Sequence, residues 1–150
     1  EIAEVALAHF ERVPAGVVSS GQGCEGDPLL AAASIEPAIR LIRQKTDRGT
    51  INLNTNASLP DTVAALFDAG LDSMRVSINS LREPCYQAYF RPHGYGFDDV
   101  MQSVDAALAR APRLSAYCPM PERASRAISA REPNCLTRLA IVIARNNSTT

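Results

Sequence analysis

The chain of 150 residues contains no tryptophan, and aromatic residues make up only 5% of it. A carbohydrate or nucleic-acid surface built on stacked rings is therefore not encoded. An excess of one charge is also lacking: 15 Lys and Arg stand against 16 Asp and Glu, for a net charge of -1. That balance argues against nucleic-acid binding by bulk electrostatics. No stretch approaches the roughly 20 apolar residues of a membrane helix. The four cysteines, Cys24, Cys85, Cys118 and Cys135, form no Cys-x-x-Cys pair. Neither a zinc ribbon nor a complete local iron–sulfur motif is present. The opening Glu1-Ile2-Ala3-Glu4 has no basic leader character, so the expectation is a cytoplasmic chain with reduced thiols. These first residues read as the middle of a helix, which implies a truncated start.

Apolar residues are plentiful, at 46%, enough for one core. They are unevenly organised. Residues 1–110 carry 9 Lys/Arg and 14 Asp/Glu, whereas residues 111–150 carry 6 Arg and 2 Glu. The second part has no Asp and no Lys, and it loses the periodic pattern of the first. The two kinds of sequence meet near Arg110-Ala111-Pro112.

The first 110 residues alternate between strand and helix patterns. Ile2, Val5, Ala6, Leu7 and Phe10 have helical spacing, and Pro14 and Gly16 end that segment. Gly16 to Ser20 reads as a short buried strand. The loop Gly21-Gln22-Gly23-Cys24-Glu25-Gly26-Asp27-Pro28 follows. The next helix is expected from about Ser34 to Lys45, with Ser34 as N-cap and Pro37 in the first turn. Thr50 to Asn54 is a strand, Thr55 to Ser58 a polar loop, and Pro60 to Ala69 a helix closed by Gly70. Ser73 to Asn79 is a third strand. Two helices are expected after it, Glu83 to Phe90 and Phe97 to Arg110.

Strand, loop and helix thus recur three times, at roughly 25–30 residues per unit. That pattern predicts an α/β fold with parallel strands. A doubly wound open sheet fits it, and so does a partial β/α barrel. The barrel is preferred because a polar cluster follows each strand, where barrel enzymes carry their chemistry.

The first cluster is Gly21 to Pro28. Its glycines allow backbone to approach a ligand, or simply allow a tight turn. It lacks the third glycine of a dinucleotide motif and the lysine of a P-loop. Glu25 and Asp27 suit a cationic or amino ligand. The second cluster, Asn54-Thr55-Asn56-Ala57-Ser58, offers amides and hydroxyls to a neutral polar ligand, and those residue types equally serve turns. In the third, Ser77, Asn79 and Ser80 end a strand, and period-two alternation puts Ser77 and Asn79 on one face. His9 reads as packing or surface. His93 lies in a loop with no evident partner, and no nucleophile–base pair emerges.

Taken in order, Gly21 to Leu29, Asn52 to Ala57 and Leu71 to Ser80 resemble the radical S-adenosylmethionine superfamily. The resemblance covers about residues 1–110 and implies a full or partial β/α barrel. It places Gly26-Asp27-Pro28 at the motif whose backbone holds the amino group of S-adenosylmethionine. Thr55-Asn56-Ala57 falls at the family's Thr-Asn-Gly-like strand end. Ser77 and Asn79 fall where the ribose or carboxylate is contacted. It also implies a [4Fe–4S] cluster, whose electron cleaves S-adenosylmethionine to a hydrogen-abstracting 5′-deoxyadenosyl radical. The substrate, a small molecule or a peptide, is not specified.

One departure is large: the family's Cys-x-x-x-Cys-x-x-Cys signature is absent. The expectation is a fragment, with the cluster ligands upstream and no activity in this chain alone. A non-catalytic β/α scaffold and a non-radical barrel lyase or isomerase are the alternatives. The second is weakened because Lys45, the only lysine, sits at a helix end. Residues 111–150, punctuated by Pro112, Pro119, Pro121 and Pro133, are expected to be an irregular tail, disordered or out of frame. Leu139 to Ala144 is its single candidate strand.

Overall fold

A computed structural model describes residues 1–21, 26–111, 113–117 and 139–144. The elements run α1 (Ile2–Arg12), β1 (Val17–Ser20), a 3-10 turn (Pro28–Ala31), α2 (Ala32–Lys45), β2 (Thr50–Thr55), α3 (Pro60–Ala69) and β3 (Ser73–Ile78). They continue with α4 (Glu83–Phe90), α5 (Phe97–Arg110), β4 (Arg113–Tyr117) and β5 (Leu139–Ala144). The protein is mixed α/β. Its single sheet has the order β1-β2-β3-β5-β4. Strands β1, β2 and β3 are parallel, and β5 lies antiparallel to both β3 and β4. The sheet is open, with β1 and β4 as its edges among the described residues.

Alternation along the strands explains where the core sits. Ile51 and Leu53 in β2, Met74, Val76 and Ile78 in β3, and Ile141 and Ile143 in β5 all point to one face and are buried. The helices cover that face. Val63, Leu66 and Phe67 of α3 meet the sheet with no exposure, as do Val100 and Ala107 of α5. Phe10 anchors α1 in the same cluster. No helix among the described residues is long and apolar enough to cross a membrane.

The N-terminal ends of β2 and β3 are tied by one guanidinium. Arg43 of α2 donates to the carbonyls of Thr46, Arg48, Gly49 and Gly70, and to the Asp72 carboxylate. Asp72 Oδ2 also accepts from Ile51 N at 2.7 Å, and Asp72 N donates to Ile51 O at 3.1 Å. Gly70, at φ 115°, ends α3 beneath the Arg43 side chain. A left-handed residue is needed there, and glycine adopts it without the Cβ penalty.

Four local expectations are revised. The second helix begins at Ala32, not Ser34, because the 3-10 turn runs straight into it; Pro37 is thus interior. Strand β1 is half exposed rather than buried, since Val17 and Ser19 face away from the helices. Beyond Arg110 the chain forms two strands of the same sheet, the expected one at 139–144 and another at 113–117. The rest of the 111–150 expectation, Ala111 apart, lies outside the described residues. Lastly, Cys85 is disulfide-bonded rather than reduced.

Candidate functional site

Among the described residues, one face of the sheet carries no helix. On it stand Ser19 from β1, Asn52 and Asn54 from β2, and Ser73, Arg75 and Ser77 from β3. Parallel register sets Ser19 beside Asn52, Asn52 beside Ser73, and Asn54 beside Arg75. The polar groups bond to one another across the strands. Asn52 Nδ2 donates to Ser19 Oγ at 2.9 Å and to Asn54 Oδ1 at 3.1 Å. Asn54 Nδ2 donates to Ser19 Oγ at 3.3 Å, and Ser73 Oγ donates to Asn52 Oδ1 at 2.7 Å. On the β5 side, Val142 and Ala144 continue the same face by register. Arg75 is the only charged residue among the described side chains of this face.

The C-terminal ends of β1 and β2 are joined by Asp27. Its Oδ1 accepts from Leu29 N at 3.0 Å and from Thr55 Oγ1 at 2.7 Å, and its Oδ2 accepts from Asn56 N at 2.6 Å. Thr55 Oγ1 in turn accepts from Ala57 N at 3.0 Å. Ala57, buried at φ 58°, has its carbonyl held by Ser103 Oγ of α5 at 2.7 Å. Asn56 Oδ1 accepts from Ser58 N at 2.9 Å. Gly21 sits where a Cβ would meet Asn54 O at 2.0 Å, and its φ is +88°. Close approach and backbone sign both demand glycine there. The Asp27 carboxylate is thereby committed to protein donors, and its role is to position the two loops.

The expected site residues divide into three groups. Gly26, Asp27, Pro28, Thr55 and Asn56 are brought together: Pro28 and Thr55 are buried, while Gly26 is open to solvent at φ 80°. Ser77 is exposed on the bare sheet face. Asn79 lies beyond the end of β3 and is buried, donating from Nδ2 to Cys85 O at 3.2 Å. The two were expected on one face; the strand stops at Ile78, so the alternation does not extend to Asn79. His9 packs beside Phe10, with ring centroids 5.9 Å apart. His93 is exposed. Gln22, Gly23, Cys24 and Glu25 lie outside the described residues.

Ser19, Asn52, Ser73 and Arg75 were not singled out from sequence. For Asn52, Ser73 and Arg75 the signal is period-two polarity in β2 and β3, with Ile51, Leu53, Met74 and Val76 between them; β1, Val-Val-Ser-Ser, carries no such alternation to mark Ser19. The bare face offers amides, hydroxyls and one guanidinium, a set suited to binding a polar ligand. No carboxylate or imidazole joins it among the described residues. An apolar cleft of about 500 Å³ opens along the β1 edge between α1 and α2, lined by Ile2, Val5, Val18 and Ile39 and reaching Ser19 and Asn52. Among the described residues, no group of three or more His, Cys, Asp or Glu is placed to hold a metal ion. No family model, no curated protein and no solved structure matches this chain.

Proposed function

We propose that residues 1–110 are a sector of a radical S-adenosylmethionine barrel that holds part of the S-adenosylmethionine site. The observation that carries the reading is the polar face of β1, β2 and β3, on which no helix lies among the described residues. In a β/α barrel the face opposite the helices is the interior, and ligands sit at the C-terminal strand ends. Two features support the sector reading: the three successive strand–helix units, and helices packed on one face only. The place beside β3 is taken by antiparallel β5, so the sector extends over β1 to β3.

The residues present suit S-adenosylmethionine as a polar ligand. The loop held by Asp27 brings Gly26 and Pro28 beside Thr55 and Asn56, and Ser77 stands on the bare face. These groups bind and orient; when bound, S-adenosylmethionine supplies the reactive group of the chemistry. The iron–sulfur cluster does not fit the residues of this chain. It needs several close thiolates, and no two cysteines here are nearer than 17 residues. Under this reading the cluster ligands come from sequence outside these 150 residues. No step through a cluster follows from this chain, which is inactive alone.

Calorimetric titration with S-adenosylmethionine tests the binding half. Saturable binding is expected, and its absence refutes the site. Iron–sulfide reconstitution, reduction and chromatography for 5′-deoxyadenosine test the other half. No product is expected; clear cleavage by this chain refutes the assignment of the cluster ligands elsewhere.

A further inference from the structure

Arg75 occupies an unusual place. It stands in the middle of a central strand, yet its side chain is exposed, while its neighbours Met74 and Val76 are completely buried. Three helical arginines are answered by acids, Arg40 by Glu36, Arg43 by Asp72 and Arg110 by Asp68, whereas Arg12, at the exposed end of α1, is not among the described residues. Arg75 has no ion pair or hydrogen bond among the described residues. Across the register it faces Asn54 on one side and Val142 on the other. Asn54 is already engaged through both Oδ1 and Nδ2, with Asn52 and Ser19. Among the described side chains, the face therefore presents one cation, held among neutral groups that bond each other, with no described carboxylate to neutralise it.

We propose that this face takes an anionic small molecule whose carboxylate or phosphate group pairs with Arg75. The guanidinium is planar and presents a fork of N–H donors that matches either oxyanion. Ser77 lies two residues further along the same face, roughly 7 Å on at strand spacing, and donates to the same ligand. The inference rests on reading the face as a ligand surface. It does not depend on the ligand being S-adenosylmethionine.

The test is an amide NMR titration of the full chain with inorganic phosphate, with acetate and with chloride at matched ionic strength. Saturable shifts in β2 and β3 are expected with phosphate or acetate and not with chloride. Phosphate alone assigns a phosphorylated ligand, and acetate alone a carboxylate. Arg75→Gln is expected to weaken binding at least tenfold, whereas Arg82→Gln, in an exposed loop, leaves it unchanged. Should Arg75→Gln fail to fold, Arg75→Lys keeps the charge without the fork, and at least a threefold loss is expected. Shifts that are absent, that chloride reproduces, or that survive in the Arg75 variants overturn the inference. A chain that binds S-adenosylmethionine but neither anion refutes this inference and leaves the proposed function standing. A chain that binds the anions but not S-adenosylmethionine does the reverse.

Discussion

Replacing Arg43 by alanine removes the group that ties α2 to the starts of β2 and β3. The guanidinium makes contacts of 3.1–3.3 Å to four carbonyls, besides its ion pair with Asp72. Both side chains are largely buried, at 15% and 12% exposure. Without Arg43, the Asp72 carboxylate keeps only Ile51 N among these partners. Leaving one member of a buried pair alone costs about 3–5 kcal/mol. The residual exposure admits some water and screening, which reduces the loss to about 3 kcal/mol. For a domain of this size about 2–4 °C of Tm goes with each kcal/mol, so a fall of about 6–12 °C is expected. Circular dichroism melting reads it. Asp72→Asn keeps an acceptor for Ile51 N while removing the orphaned charge. The Arg43→Ala/Asp72→Asn double variant is therefore expected to melt above Arg43→Ala. If Arg43→Ala melts within 2 °C of the parent, or the second change lowers it further, the buried-charge argument is wrong. The pair lies at the strand end opposite the Asp27 loop, so the proposed S-adenosylmethionine site is not expected to be disturbed in the folded variant.

Two further outcomes follow. Asp27→Ala removes three accepted hydrogen bonds and is expected to cost about 2 kcal/mol. Hydrogen exchange should speed up at Leu29 and Asn56, and unchanged protection there refutes the positioning role of Asp27. Tyr86 is fully buried, and its hydroxyl, near the Tyr95 phenol, completes no well-formed hydrogen bond among the described residues. Tyr86→Phe is therefore expected to be neutral or to stabilise by up to about 1 kcal/mol in urea unfolding. Burial, aided by the neighbouring Tyr95 phenol, pushes Tyr86 ionisation well above its ordinary value of 10. The unfolded chain thus loses this proton first as pH rises past 10. Tyr86 therefore leaves stability independent of pH below 10 and makes it fall above that pH, by up to about 1.4 kcal/mol per pH unit. Comparing the parent with Tyr86→Phe at pH 9 and 11 isolates this slope; equal slopes refute it.

Much of the fold was legible locally. Pro60 opens α3 and Gly70 closes it, as proline at a first turn and glycine after a last turn dictate. The apolar spacing of Val100, Val104 and Leu108 marks α5, although Leu108 is only half-buried and Ala107 takes the inner place. The start of α2 was misplaced because Pro28 to Ala31 forms a 3-10 turn that merges with the helix, so Ser34 never becomes a cap. Site residues were legible where they cluster in sequence, as in Gly26-Asp27-Pro28 and Thr55-Asn56. What Asp27 does there was not legible, because its partners Thr55 and Asn56 lie 28 and 29 residues away.

The sequence by itself determined three β/α units with parallel strands, and a set of strand ends rich in Gly, Asn, Ser and Thr. Local periodicity and turn chemistry suffice for that. Only the tertiary structure decided that Ser19, Asn52, Asn54, Ser73 and Arg75 share one face, on which no helix lies among the described residues. It alone decided that β5 comes back antiparallel beside β3. Strand alternation separates two faces, but it does not say which face the helices will cover. Register and strand order arise from contacts between distant segments, and no local window contains them.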